Sequence, residues 1–242
     1  MEICLARHGR HIAIVMIDNQ PRLNAMTRAM LAELDSCRAI VLTGAGTRAS
    51  TVGADITGEL SADPDIARMV NHALLKTDAY AKPIIAAVNG DCIGGGFELM
   101  LASDIRAATP EARFGLTEVK WSIYPFGGST TKLVQQIGYV HAMDLLLTAR
   151  LIDAKEAARL GLINRVVERD QLMGWAIETA ERIAANSPSA VQAVKQQVSA
   201  TIADDVLARE AQEQELGDKV RASAHFAEGV AAFREKRQPR YE

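Results

Sequence analysis

DCIGGGFELMLASDIRAATPEARFGLTE, residues 91–118, carries the strongest structural signal in the sequence. It follows a short apolar run, and its three consecutive glycines lead into an apolar segment that predicts a helix over residues 95–103. Residues 105–108 and 113–114 then predict two short strands. Strand, helix and strand in succession are typical of an α/β fold.

The flanking segments extend this pattern. Residues 3–6 and 12–17 predict a β-hairpin, because a turn-like His-Gly-Arg separates two apolar runs. Further strands are predicted at residues 38–43, 83–88 and 166–167, and helices at 27–34, 64–80, 132–136, 141–148 and 154–160. Beyond residue 171 the chain is predicted to be helical, with breaks at Ser187-Pro188 and near Gly217 and a final amphipathic helix over 222–236.

Composition restricts the class of protein. The chain has 242 residues, 48% of them hydrophobic, which is ample for a large soluble core. A net charge of −3 argues against nucleic acid or an anionic membrane as the main partner. No apolar stretch reaches the roughly 18 residues of a membrane helix, and the first residues do not form a signal peptide. We therefore expect a cytoplasmic protein.

The cysteines and histidines indicate neither a disulfide framework nor a metal site. Cys4, Cys37 and Cys92 are odd in number and widely spaced, without a CxxC pair. His8 and His11 lie at the predicted hairpin, which favours exposed surface over a metal site, and His72, His141 and His225 have no ligand-like neighbours. We expect no metal and a reducing compartment.

The glycines at 94–96 allow two interpretations. Without a β-carbon, the backbone approaches a ligand closely, and the first turn of a helix presents unpaired N–H groups to an anion or a developing oxyanion. A tight crossing within the core would explain the same glycines. A dinucleotide site is disfavoured, because Leu99 stands where the GxGxxG pattern needs its last glycine.

Two carboxylates belong to the same stretch. Glu98 lies in the first turn of the predicted helix, where it could simply complement the helix dipole. The apolar residues after it indicate burial, which would raise its pKa and suit it to proton transfer. Glu118 follows the second predicted strand and by itself resembles a solvated surface residue. The spacing alone does not show whether the two carboxylates meet.

Several separated motifs are similar to the crotonase family, and within it to enoyl-CoA hydratases. In chain order they are Gly-Ala-Asp-Ile at 53–56, Lys-Pro-Ile-Ile-Ala-Ala-Val-Asn-Gly at 82–90, Gly-Gly-Gly-Phe-Glu-Leu at 94–99, Ser-Asp at 103–104, Phe-Gly-Leu-Thr-Glu at 114–118, Pro-Phe-Gly-Gly at 125–128, Leu-Thr at 147–148, Ala-Lys-Glu-Ala at 154–157, Gly-Leu at 161–162 and Ala-Ala-Phe-Arg-Glu-Lys-Arg at 231–237. The resemblance therefore covers nearly the whole chain.

The resemblance implies a crotonase-like α/β fold, a spiral of ββα units with a C-terminal helical trimerisation region. Residues 1–185 would form the spiral core with an acyl-CoA site, and residues 186–242 the helical region for oligomerisation. It also implies a homotrimer or a dimer of trimers, with no nucleic-acid or membrane partner.

The resemblance further implies the chemistry of the site. The ligand would be an acyl-CoA thioester, and no cofactor would be needed beyond the coenzyme A of the substrate. Glu98 would activate water and Glu118 would donate a proton, while the N–H groups of Ala54 and Gly95 would form an oxyanion hole. The implied substrate and coenzyme contacts are Ala54, Asp55, Ile56, Gly94, Gly95, Phe126, Phe233 and Lys236.

The sequence also departs from the family pattern. The segment 24–38 is shorter than is usual in the family. Thr57 replaces a basic residue that often holds the coenzyme, and Tyr124-Pro-Phe126 replaces a glycine-rich turn, which would narrow the acyl pocket.

Alternative functions are a Δ3,Δ2-enoyl-CoA isomerase, a specialised dehydratase such as a carnitinyl-CoA dehydratase, and a non-catalytic acyl-CoA binding subunit. The presence of both Glu98 and Glu118 favours hydration over these alternatives, because isomerisation needs only one carboxylate and binding needs none.

Overall fold

The computed structural model describes residues 2–18, 36–51, 71–72, 74–77 and 80–242. The helix predicted over 27–34, most of that predicted over 64–80, and residues 53–57 lie outside the described residues. The strands are β1 Glu2–His8, β2 Ile12–Asp18, β3 Ala39–Gly44, β4 Ala49–Thr51, β5 Ile84–Val88, β6 Asp91–Ile93, β7 Ile105–Ala108, β8 Arg113–Gly115, β9 Ile152–Asp153 and β10 Arg165–Val166. The helices are α1 Gly95–Met100, a 3-10 helix Glu118–Trp121, α2 Ser129–Ile137, α3 Tyr139–Thr148, α4 Ala154–Arg159, α5 Arg169–Ala184, α6 Pro188–Arg221 and α7 Ala224–Arg234.

The first sheet has the strand order β1-β2-β3-β5-β7-β10. β1 and β2 pair antiparallel around a turn in which Gly9 has a φ of 60°, which confirms the predicted hairpin. The remaining pairs are parallel. All residues of β3 and β5 are buried, which explains their largely apolar sequences, because a parallel strand covered on both faces has no polar side.

The second sheet has the order β4-β6-β8-β9. From β3 to β8, successive strands belong alternately to the first and the second sheet, so each passage of the chain adds one strand to each. This alternation is the repeating spiral that the family resemblance implies. It also lines up the carboxyl ends of β6 and β8, which run parallel to each other.

The helices after β8 lie close to their predicted positions. Three short helices were predicted from apolar periodicity. α2 and α3 begin three and two residues earlier than that periodicity indicates, and α4 begins at the predicted residue. The start of α4 is fixed by Asp153, whose carboxylate accepts the N–H of Glu156 at 2.7 Å as an N-cap. The predicted C-terminal amphipathic helix is confirmed as α7. In the portions of the chain that the structure covers, no helix combines the length and apolar character needed to cross a membrane.

The predicted helix break near Gly217 is wrong. α6 continues without interruption through this residue, which is buried. The ring of Phe126 lies against it, so that a β-carbon at Gly217 would stand 2.0 Å from the Cζ atom of Phe126. The glycine therefore permits close contact between helix and ring, and does not end the helix.

The helix predicted over 64–80 ends earlier than expected. Asn71 and His72 are helical, but residues 74–77 form a turn in which Leu75 has a φ of 48°. The Leu75 N–H donates to the His72 carbonyl at 3.1 Å and the Lys76 N–H to the Asn71 carbonyl at 2.9 Å, the hydrogen bonds of a Schellman-type helix end. Periodicity alone misses this end because a leucine occupies the left-handed position. After the turn, the Lys76 side chain is buried.

Candidate functional site

Glu98 and Glu118 follow the carboxyl ends of two neighbouring parallel strands. β6 and β8 are paired, with Ile93 opposite Gly115. The Gly94 N–H donates to the Gly115 carbonyl at 2.9 Å, which joins the two chain segments just beyond the strands. Glu98 lies in α1 after β6, and Glu118 begins the 3-10 helix after β8. The sheet therefore brings these two glutamates to the same edge.

Each glycine before Glu98 has its own structural reason. Gly94 has φ 60° and ψ −132°, a conformation that is essentially restricted to glycine. At Gly96, a β-carbon would stand 2.3 Å from the Thr51 carbonyl oxygen, so this residue permits a tight crossing. Gly95 is the first residue of α1, and its N–H has no partner within its own helix. Because Ala54 lies outside the described residues, the oxyanion hole stays a prediction.

Glu98 is buried and is held by the beginning of α2. Its side chain is 4% exposed, and Oε1 accepts the Gly127 N–H at 2.7 Å and the Ser129 hydroxyl at 2.8 Å. Burial raises the pKa of Glu98, while these two hydrogen bonds oppose the rise. The negative charge of Glu213 raises the pKa further, and the positive charge of Lys132 lowers it. A buried carboxyl with a raised pKa can exchange protons closer to neutral pH than an exposed one.

Glu118 has a different environment. Its Oε2 atom is buried and has no hydrogen-bond partner among the described residues. Burial, together with the negative charge of Glu98, raises the pKa of Glu118 to about 8. The carboxyl is therefore mostly protonated at neutral pH and can act as a proton donor. Two carboxyls with different proton affinities can divide the roles of base and acid between them.

The other predicted contact residues are dispersed along the chain. The Phe126 ring packs against Tyr124, with ring centroids 5.4 Å apart. Phe233 of α7 packs edge-on against Trp121 in the 3-10 helix that carries Glu118, at 5.1 Å. Lys236 is exposed and has a φ of 53°. Their contact with a coenzyme stays a prediction, and Asp55 and Ile56 lie outside the described residues.

Sequence reasoning missed a second buried charge cluster beside Glu98. Glu213 of α6 and Lys76 are 5% and 3% exposed, and Lys76 Nζ lies 2.9 Å from Glu213 Oε2. Lys132 is also buried and donates to the Leu75 carbonyl at 2.9 Å. Glu213 lies among exposed charged residues of α6 in the sequence, so periodicity does not single it out. Over the same described stretches, no group of three or more His, Cys, Asp or Glu side chains is arranged to hold a metal ion.

Comparison with known proteins agrees with this geometry. A family model described as enoyl-CoA hydratase/isomerase matches residues 7–242. Enoyl-CoA hydratase EchA19 of Mycobacterium tuberculosis is 45% identical over 170 residues, which are 70% of this chain and 64% of that protein, just under two thirds of its length. A short-chain-enoyl-CoA hydratase of Clostridium acetobutylicum is 35% identical over 98% of this chain and 95% of its own length.

A solved structure shows the same fold. The carnitinyl-CoA dehydratase of Mycobacterium avium 104 superposes with a TM-score of 0.84 at 33% sequence identity, covering 99% of this chain and 98% of that one. The α/β spiral inferred from the alternation of strands between two sheets is thus a fold shared with that protein, and the predicted fold class is confirmed.

Proposed function

Because the chain belongs to the enoyl-CoA hydratase/isomerase family, we propose that it hydrates 2-trans-enoyl-CoA to 3-hydroxyacyl-CoA in acyl-CoA metabolism. The observation that carries this proposal is the pair Glu98 and Glu118, which follow two neighbouring parallel strands and in which the charge of Glu98 raises the pKa of Glu118. One carboxyl is oriented by two hydrogen bonds, and the other has a pKa of about 8. Hydration needs both a base and an acid, and this pair provides both.

The two glutamates divide the proton transfers. As the water oxygen bonds to C3, Glu98 accepts a proton from that water. Glu118 gives its proton to C2, so the product gains one hydroxyl and one hydrogen. Glu98 ends the step protonated and Glu118 ionised, and a proton must then pass from Glu98 to solvent and from solvent to Glu118 before the next turnover. The raised pKa values suit both groups to this exchange.

The thioester oxygen receives the negative charge that develops during the addition. The N–H groups of Gly95 and Ala54 bind this oxygen, and the loss of one such donor typically costs about 10²–10³ in rate. Gly95 has the geometry for this role, because its N–H has no acceptor in its own helix. The reaction requires no further cofactor, since coenzyme A is part of the substrate.

The remaining contacts and the assembly belong to the same proposal. Asp55, Ile56, Gly94, Phe126, Phe233 and Lys236 contact the acyl-CoA. Residues 1–185 form the core with the active site, and residues 186–242 assemble a cytoplasmic homotrimer or dimer of trimers. Large exposed apolar side chains on α6, Val194 and Val198 at 66% and 63% exposure, support a contact between subunits in this region.

The proposal is tested with purified protein and trans-2-enoyl-CoAs of short, medium and long chain length, starting with crotonyl-CoA. Hydration removes the absorbance of the conjugated enoyl thioester. Inactivity on the whole panel would contradict the proposal. Conversion of 3-enoyl-CoA to 2-enoyl-CoA without hydration would identify an isomerase, and binding of coenzyme A thioesters without turnover would identify a binding subunit.

Gly127→Ala is expected to lower kcat by about 100-fold, because a misplacement of about 1 Å can have that effect. A β-carbon at Gly127 would stand 2.6 Å from the carboxyl carbon of Glu98 and would displace it from its hydrogen bonds. Steady-state kinetics on crotonyl-CoA measure the loss. Gly174→Ala in α5 is the matched control, because its added methyl group meets no atom within 4 Å. Equal activity in both variants would contradict the close approach.

A further inference from the structure

One face of α6 packs against the turn that orients Glu98. The buried residues of this helix are Val206, Glu213 and Gly217, which recur at helical spacing on one face. A β-carbon at Gly128 would stand 3.0 Å from Val206, and Phe126 lies against Gly217. Helix α6 therefore covers the segment 126–128, which includes the Gly127 N–H that binds Glu98.

The polar member of this face is Glu213, and its partner is Lys76. Their Nζ to Oε2 distance is 2.9 Å, whereas the second carboxylate near Lys76, on the more exposed Glu210, is 3.5 Å away. The aliphatic part of Lys76 also lines Gly128, with its Cγ 3.5 Å from the position of a β-carbon there. The Gly128 N–H lies close enough to stabilise the charged form of Glu213. The ion pair thus contacts the same turn at Gly128.

A buried ion pair contributes little net stability, because the desolvation of both charges offsets their attraction. The second oxygen of Glu213 even remains buried without a hydrogen-bond partner among the described residues. An apolar pair of similar volume would hold α6 against the core at least as well. A contribution to stability therefore does not explain why a buried lysine and a buried glutamate occupy these positions. Their location beside the 126–128 turn, which orients Glu98, does.

We propose that Lys76 and Glu213 are positioning residues for Glu98: the ion pair fixes the 126–128 turn against α6 and sets the electrostatic field in which Glu98 exchanges its proton. This inference rests on the proposed hydratase function. It assigns α6 a role within the active site of its own subunit.

The charged groups that act on Glu98 define the expected direction of change. Glu213 raises the pKa of Glu98 and Lys132 lowers it, and the charges of Glu98 and of Glu118 in the 3-10 helix repel each other. With glutamine in place of Glu213, a negative charge disappears and the positive charge of Lys76 is left without its nearest partner. Both changes favour the ionised form of Glu98, so its pKa falls.

The test compares the parent with Glu213→Gln, Lys76→Met/Glu213→Gln and a control, Lys195→Met. Lys195 forms another ion pair that anchors α6, with Nζ 2.8 Å from Asp104 Oδ2, and it is not one of the charges identified above as acting on Glu98. For Glu213→Gln we expect kcat to be about tenfold lower and KM to stay within about twofold of the parent value. We also expect the fall of kcat at acid pH, the acid limb of the pH profile, to occur about one pH unit lower. The double variant, which removes both charges, returns that limb toward the parent and keeps the lower kcat. Lys195→Met is expected to alter thermal stability but to change neither kcat nor the acid limb of the pH profile.

A second readout does not depend on turnover. In protein labelled with ¹³C at the glutamate carboxyls, NMR titration follows Glu98, whose resonance is assigned by its absence in Glu98→Gln. A lower titration midpoint of Glu98 in Glu213→Gln, with an unchanged midpoint in Lys195→Met, would support the positioning role. This result would stand even if the protein hydrated no enoyl-CoA, because that failure would overturn only the proposed function.

An unchanged Glu98 midpoint in Glu213→Gln, or equal effects of Glu213→Gln and Lys195→Met, would overturn the inference. If Glu213→Gln does not fold, the charge-free double variant decides the question. Parent-like kcat in that variant would overturn the positioning role, and a tenfold lower kcat at unchanged KM would support it.

Discussion

Glu98→Gln is expected to lower kcat for crotonyl-CoA hydration at least about 100-fold, with KM changed less than about threefold. The glutamine carbonyl oxygen can still accept the hydrogen bonds from Gly127 and Ser129, so the side chain stays in place. The amide cannot take a proton from water, and the chemical step loses its base. Steady-state kinetics combined with coenzyme A affinity separate the loss of chemistry from a loss of binding.

The matched control for this variant is Glu215→Gln. Glu215 makes an exposed ion pair with Lys219 on α6, and such pairs contribute little. The same loss of one charge there should leave kcat unchanged. A Glu98→Gln variant that retains more than about a tenth of the parent kcat would show that Glu98 is not the base. Retention of isomerase activity by this variant, together with its loss in Glu118→Gln, would instead support an isomerase.

The sequence predicted the structure correctly where the residues adjacent along the chain determine the local conformation and burial. The apolar runs at 38–43 and 83–88 predicted strands that are confirmed as β3 and β5. The glycines of 94–96 and the apolar residues after Glu98 predicted a buried carboxyl at the start of a helix, and Glu98 is 4% exposed. In each case, a run of consecutive apolar residues indicates that the segment is buried.

Relations between distant segments could not be obtained in this way. Glu118 looks like a surface residue until β8 is known to lie beside β6 in parallel register. Glu213 was missed because a lone glutamate among charged residues of a long helix carries no periodic signal, and its importance depends on Lys76 and Gly128. Gly217 was misread as a helix break, because the ring that fills its space, Phe126, is far away in the sequence.

Glu118→Gln is expected to lower kcat to a similar extent, because an amide cannot deliver the proton to C2. Its pH profile distinguishes it from Glu98→Gln. In the parent the pKa of Glu118 is about 8, so kcat falls as the pH rises through that value and the donor ionises. The residual activity of Glu118→Gln lacks this basic limb. A kcat profile in which the limb near pH 8 persists in the variant would assign it to another group.

The same substitution is expected to stabilise the protein at alkaline pH. The pKa of Glu118 is raised from 4.5 to about 8 by folding, so the folded state retains a proton that the unfolded state loses between these values. The parent is therefore progressively destabilised as the pH rises from 4.5 to about 8, and glutamine removes that penalty. Since one pKa unit corresponds to about 1.4 kcal/mol, even a third of this rise would give a gain of at least about 1 kcal/mol at pH 8, or about 2–4 °C in Tm. Thermal unfolding of parent and variant at pH 5 and pH 8 measures it. A difference in Tm that does not grow with pH would show that Glu118 is not held protonated in the folded protein, and with it the proton donor of the proposed reaction would be lost.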